Sequence, residues 1–252
     1  MKIAMIGSGA AGSVFASYLK KGGADDITLV DLYKAHMDKV AKDGLVMKDP
    51  TGEYHLTGFK TAYSAADIGI MDIVIIMVKA TQTDRVMESV MSCIGPDTVI
   101  VSLQNGLGND EVLAKYVDTD RIMYGSGLIG TELRGPGVCV SKPEEGIQMH
   151  FGAVNNNPRT DIAGKALEKL FCDGGCNASF DADVRPYVWK KVIANSGYNG
   201  VSAVLRLKVA ETFGDECGRD LVMNVWHEGC EVAKTGGHCG DALFCKREAV
   251  NH

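Results

Sequence analysis

The chain lacks a long apolar run. Its longest, Ile73–Val78, falls far short of the roughly 20 residues a membrane-spanning helix needs. It shows no secretory leader, because Met1-Lys2 runs directly into Ile3-Ala4-Met5-Ile6 and then glycine, with no extended apolar stretch and cleavage site. It also lacks a basic block. Lys plus Arg number 26 against 32 Asp plus Glu, for a net charge of −6, which argues against gripping a nucleic-acid backbone by charge. No internal repeat or low-complexity segment stands out. These absences predict a cytoplasmic protein with neither a membrane nor a nucleic-acid partner. What is present is a composition of 46% apolar and 23% charged residues over 252 positions, enough for one large domain or two smaller ones.

Regular metal-ligand spacing is missing as well. Eight cysteines occur: Cys93, Cys139, Cys172, Cys176, Cys217, Cys230, Cys239 and Cys245. In a large chain without a leader they are expected to be free thiols. His227, Cys230, His238, Cys239 and Cys245 cluster in sequence but match no standard zinc pattern, so no metal site is predicted.

The first half alternates short Ile/Val-rich runs with amphipathic stretches. Lys2–Ile6, Ile27–Val30, Ile73–Val78 and Thr98–Leu103 read as strands buried on both faces. Ala11–Lys21, Lys34–Lys42 and Thr83–Ile94 read as the helices between them. The repetition predicts a doubly wound parallel sheet of the Rossmann type. Arg121–Thr131, Gly137–Ser141 and Ile147–Phe151 look like short strands added antiparallel to that sheet, with Gly135-Pro136-Gly137 as a turn. Asp161–Phe171 reads as a helix, and beyond Asp183 only helical spacing recurs. The expected organisation is α/β, with a dinucleotide-binding domain over 1–180 and a smaller all-helical domain over 181–252.

Gly7-Ser8-Gly9-Ala10-Ala11-Gly12 fits G-x-G-x-x-G between a strand and a helix. The first glycine permits the turn, the second lets backbone amides approach a pyrophosphate, and the third lets helix and strand close up. Asp31 ends the second strand. Its carboxylate suits ribose hydroxyls and repels a 2′-phosphate, which favours NAD over NADP, although Lys34 and Lys39 lie near enough in sequence to offset it. The alternative is a capping role for Asp31. Lys79 and Asn105 stand at the carboxyl ends of later strands, where such sheets bind ligands. Lys191, Asn195 and Asn199 recur at i, i+4 and i+8, one polar stripe if the segment is helical. A desolvated lysine is a suitable acid for a ketone oxygen. Tyr187 and Lys191 also form Tyr-x-x-x-Lys, the short-chain dehydrogenase pair. Here it lies beyond the expected domain boundary and is read as coincidence.

Taken together, the glycine loop, Val78-Lys79-Ala80-Thr81-Gln82, Leu103-Gln104-Asn105-Gly106-Leu107-Gly108-Asn109, Gly135-Pro136-Gly137 and Trp189-Lys190-Lys191 with Asn195 and Asn199 resemble the ketopantoate reductase family. The resemblance spans residues 1 to about 205. It implies a Rossmann domain followed by a helical domain, and hydride transfer from NADH or NADPH to a small 2-keto acid. It implies Lys191 as the catalytic lysine, Asn105, Asn195 and Asn199 as substrate-side asparagines, and Lys79 beside the cofactor. Asn105 would line the junction of nicotinamide and substrate. The family's later serine-rich helix and glutamate find no match, so the chain reads as shortened at its C-terminus. A dinucleotide-binding module without turnover is the second reading. A homodimer is compatible with either.

Overall fold

A computed structural model describes residues 1–235. Its backbone divides into two compact units, Met1–Val184 and the part from Arg185 onward.

The first unit opens with β1 (Lys2–Ile6), α1 (Ala10–Lys21), β2 (Asp26–Val30) and α2 (Lys34–Asp43). A hairpin, β3 (Leu45–Asp49) and β4 (Gly52–Leu56), and a short β5 (Lys60–Ala62) follow. Then come β6 (Met71–Ile76), α3 (Thr83–Val90), β7 (Ile94–Ser102) and α4 (Asn109–Leu113). The unit ends with β8 (Ile122–Gly127), β9 (Ile129–Gly135), β10 (Val138–Pro143), β11 (Met149–Ala153), α5 (Pro158–Asp173) and β12 (Ala178–Phe180).

Eight strands form the main sheet in the order β12-β11-β8-β7-β6-β1-β2-β5. From β5 to β8 every pairing is parallel, and β11 then runs antiparallel to β8. The continuous apolar runs follow from burial on both faces. Ile3, Met5, Ile73, Ile75, Val99 and Val101 join one core, while Ala4, Ile6, Val74, Ile76 and Ile100 join the other. The chain leaves β1 toward β2 on one side and returns to β6 on the other. The carboxyl end of β1 is therefore the topological switch point, where open α/β sheets bind ligands.

Two expectations from the pattern fail here. The strands after residue 121 do not simply extend the main sheet. β8 joins it parallel to β7, whereas β9 and β10 pair with β3 and β4 in a separate four-stranded sheet, β4-β3-β10-β9. The β3–β4 hairpin escaped notice because β4 is mostly exposed and shows no clean alternation. Its turn is set by Asp49, whose Oδ1 accepts from the amides of Thr51 and Gly52 at 2.8 and 3.1 Å. The second sheet is pinned to α1 through buried polar contacts, Tyr18 OH to Ser141 Oγ at 2.7 Å and Ser17 Oγ to Cys139 Sγ at 3.8 Å. Burial pushes the Tyr18 phenol up to about 12 and the Cys139 thiol up to about 11.

The second unit is helical throughout its described residues. It comprises α6 (Arg185–Asn195), a π-helical turn (Ser196–Val201), α7 (Ser202–Leu205), α8 (Val209–Gly214) and α9 (Glu216–Thr235). Ile193, Val201, Val222, Trp226, Cys230 and Ala233 form its core, and Tyr198 and Phe213 pack against it. Among the described residues no helix is long and apolar enough to cross a membrane.

Candidate functional site

Gly7-Ser8-Gly9 is the whole connection between β1 and α1. Gly7 has φ +92°, and a Cβ there would lie 2.6 Å from the Val78 amide nitrogen. A Cβ on Gly12 would lie 2.1 Å from the Gly7 carbonyl oxygen. Only glycine lets helix and strand meet this closely. Over Gly9 nothing stands within 4 Å of the position a Cβ would take, so the loop's outer face is open to a bulky anion. Ala10 and Ala11 begin the 12-residue α1, whose N-terminal amides and dipole favour negative charge. The Ser8 side chain is not on that open face. It is fully buried and its hydroxyl points toward the Met5 and Val30 carbonyls at 3.3 and 3.5 Å, so its side chain is turned away from any ligand.

Asp31 follows β2 and is half-buried. Its Oδ1 accepts from the Tyr33 amide at 2.8 Å, which fixes the carboxylate. The residue before α2 is Tyr33, so Asp31 is not the N-cap of that helix. Beside it lies a cavity of about 380 Å³. Apolar Ile6, Val30, Leu32 and Val78 and polar Asp31 and Arg85 are among its lining residues. A cavity of this size, apolar with a few polar groups at its rim, fits a flat heterocycle and its sugar. Of the lysines near Asp31 in sequence, Lys39 Nζ is 2.8 Å from Asp43, whereas Lys34 Nζ sits 5.7 Å from the ring of Tyr63, itself a lining residue of the cavity.

Two further strand ends carry the later candidates. Lys79 is exposed at the turn after β6, just before the helical turn Ala80–Gln82. Asn105 is exposed in the loop after β7, and Asn109 Nδ2 donates to the Asn105 and Gly106 carbonyls at 3.3 and 3.2 Å. Their neighbour Gln104 faces the opposite way. It is buried, accepts from Ser102 Oγ at 2.9 Å, and donates to the Val78 carbonyl at 2.6 Å and to Thr83 Oγ1 at 3.0 Å. Its amide ties the tips of β6 and β7 together. Sequence carries no signal for this, since Gln104 and Asn105 look alike as polar strand-end residues.

In the helical unit, Lys191 and Asn195 lie one α-turn apart on α6, both half-buried. Asn199 does not continue their stripe as an α-helix would place it. The backbone from Ser196 to Val201 is wound as a π-helix, and the wider turn shifts Asn199, which is exposed, out of α-helical phase. The cause is close packing of α9. A Cβ on Gly197 would lie 2.4 Å from Trp226 Nε1, and that indole donates to the Ala194 carbonyl at 3.4 Å.

Cys93, Cys139, Cys172, Cys176 and Cys217 are free thiols. Cys230 departs from the expectation and is disulfide-bonded. Among the described residues no His/Cys/Asp/Glu group could hold a metal ion, and His238, Cys239 and Cys245 lie outside them.

A glycine loop at a switch point, a carboxylate at the next strand end and a cavity between them define a dinucleotide-binding oxidoreductase. Two family models cover the chain: Ketopantoate reductase PanE/ApbA over residues 3–156 and its C-terminal counterpart over residues 183–250. The chain belongs to the ketopantoate reductase family. A 2-dehydropantoate 2-reductase from Streptococcus pyogenes is 28% identical over 244 residues, covering 94% of this chain and 75% of the relative. The solved 2-dehydropantoate 2-reductase of Geobacter metallireducens superposes with a TM-score of 0.86 at 25% identity, covering 97% of this chain and 80% of that one. A D-mandelate dehydrogenase, solved with NADH and anilino(oxo)acetate, shares the fold with a TM-score of 0.83 at 24% identity, covering 98% of this chain and 78% of that one. The protein is thus an oxidoreductase of the 2-keto acid reductase type that uses a nicotinamide dinucleotide.

Proposed function

We propose that this chain reduces 2-dehydropantoate, or a 2-keto acid of similar size, to the D-2-hydroxy acid, and that it prefers NADH to NADPH. The cavity at the tips of β1 and β2, with Asp31 on its rim, carries the cofactor half of this reading. When bound, the reduced nicotinamide supplies the hydride. The amides of Gly7–Gly12 hold the pyrophosphate, and Asp31 accepts from the adenosine ribose hydroxyls. A 2′-phosphate there would face a carboxylate. Lys39 is paired to Asp43, which leaves Lys34, over Tyr63, and Arg85 as the cations at that cavity, and Asp31 is the group that decides the preference in this reading.

The substrate half rests on the family's chemistry and on residue type. The segment from 181 onward is the substrate domain in this reading. Lys191 donates the proton to the oxygen that becomes the hydroxyl. Asn195, Asn199 and Asn105 hold the carboxylate and hydroxyl with neutral amides, and Lys79 lies on the cofactor side. The test is NADH and NADPH oxidation against a panel of 2-keto acids. Turnover with 2-dehydropantoate or a branched analogue, faster with NADH, is expected. Dinucleotide binding with no oxidation by any 2-keto acid would overturn the catalytic reading.

A further inference from the structure

His36 is fully buried in α2 and takes part in no step described above. Its two ring nitrogens are both engaged. The Gly137 backbone amide donates to Nδ1 at 2.9 Å, and Ser13 Oγ lies 3.0 Å from Nε2. A backbone N–H can only donate, so Nδ1 must be the bare nitrogen. The ring is therefore neutral with its proton on Nε2, and it donates to Ser13 Oγ. The Ser13 hydroxyl in turn donates to the Ser8 carbonyl at 2.8 Å. One directed chain thus runs from the Gly135-Pro136-Gly137 turn, through an imidazole, into the glycine loop.

The end of that chain matters for the cofactor. In a planar trans peptide the carbonyl and the following N–H point in opposite directions. Pinning the Ser8 carbonyl inward onto Ser13 therefore turns the Gly9 amide outward, toward the open face of the loop.

We propose that His36 is a positioning residue for dinucleotide binding, a neutral imidazole that locks the Ser8–Gly9 peptide in its anion-accepting orientation. This inference rests on the functional reading above. A protonated ring would carry hydrogen on Nδ1 against the Gly137 amide, and that N–H against N–H clash would push the ring off both partners, Gly137 and Ser13. Burial holds the His36 pKa below its usual 6.5, against the opposing pull of Asp31. The groups around the ring are few. Asp31 faces it from the end of β2, and the Tyr33 ring stacks 6.0 Å away. Ser8 and Ser13 face it from the loop and α1, the β9–β10 turn brings only the Gly137 amide, and on its own helix Lys39 is paired with Asp43.

The experiment is direct NADH binding, by fluorescence, to the full chain and three variants, with Tm measured on each. His36→Asn keeps an acceptor for Gly137 but cannot reach Ser13. His36→Gln keeps a donor for Ser13 but loses the Gly137 acceptor. Ser13→Ala removes the last link. His36→Asn and Ser13→Ala should raise the NADH Kd about 5- to 10-fold, the scale of one net hydrogen bond. His36→Gln should bind NADH as the parent does even if its Tm falls. The parent's Kd should also rise as pH drops below the His36 pKa, and that rise should vanish in His36→Gln. If affinity instead follows Tm across the three variants, or His36→Gln keeps the same pH profile, the inference is wrong while the functional reading stands. A parent that binds neither NADH nor NADPH would overturn both.

Discussion

The glycine loop and the Lys191–Asn199 segment are both shaped by glycine at a close contact, yet they are held differently. In the loop the obstacles around Gly7 and Gly12 are backbone atoms, the Val78 nitrogen and the Gly7 oxygen. Backbone cannot step aside, and buried Ser8, Ser13 and His36 fix the loop from behind. Around Gly197 the obstacle is the Trp226 side chain, itself packed in the core against Tyr198 and Phe213. The comparison separates two ways of building a site. The loop is fixed by main-chain geometry before any ligand arrives, and the helical segment is held by how one indole packs.

That contrast can be broken or sharpened by substitution. The largest effect is expected at Lys191. Lys191→Ala should lower kcat about 10²- to 10⁴-fold with little change in NADH Kd, the scale of a positioned general acid. Lys190→Ala, about 100° around the helix, should be mild, and equal losses in the two would refute the assignment. Next comes Gly12→Ala. Overpacking against immovable backbone costs about 1–3 kcal/mol, so the NADH Kd should rise about 5- to 150-fold, with Tm reduced. Gly197→Ala should do less to the cofactor, because its obstacle is a core side chain of the helical unit and not the backbone of the glycine loop. It should raise the KM for the keto acid and leave NADH affinity unchanged, and a change confined to NADH would contradict the division of labour. Asp31→Ser should narrow the ratio of kcat/KM for NADH over NADPH by about 10-fold, since a charged hydrogen-bond partner is lost. The smallest effect is on stability against pH. The His36 pKa is held below 6.5 in the fold, so between 6.5 and the lowered value the unfolded chain binds more protons. Stability should therefore fall as pH drops through that window, and His36→Gln should flatten the Tm profile there.

The sheet was legible because β1, β2, β6 and β7 are buried on both faces, which forces nearly continuous apolar runs. The glycine loop was legible because close contact admits no other residue. The second sheet was not, because β4 is mostly exposed and the pairing that joins the two hairpins, β3 with β10, is between strands far apart in sequence. Ser8 and Gln104 look like ligand contacts in sequence and turn inward in the fold. A hydroxyl or amide carries no mark of which way it points until its partner is known. His36 likewise gains meaning only when Gly137, 101 residues away, arrives beside it.

The π-helical turn at Ser196–Val201 has a consequence for how the chain can vary in length. A π-turn spends one residue more than an α-turn to cover the same span. Deleting a single residue there would return the segment to α-winding without breaking it. The helix beyond would keep its phase, but the side chains within the turn, Gly197 and Asn199 among them, would be re-aimed relative to Lys191 and Asn195, and Trp226 would lose the notch at Gly197. Substitutions in this stretch can be judged one at a time, but its length is a separate constraint. One residue lost re-aims the side chains of the turn itself.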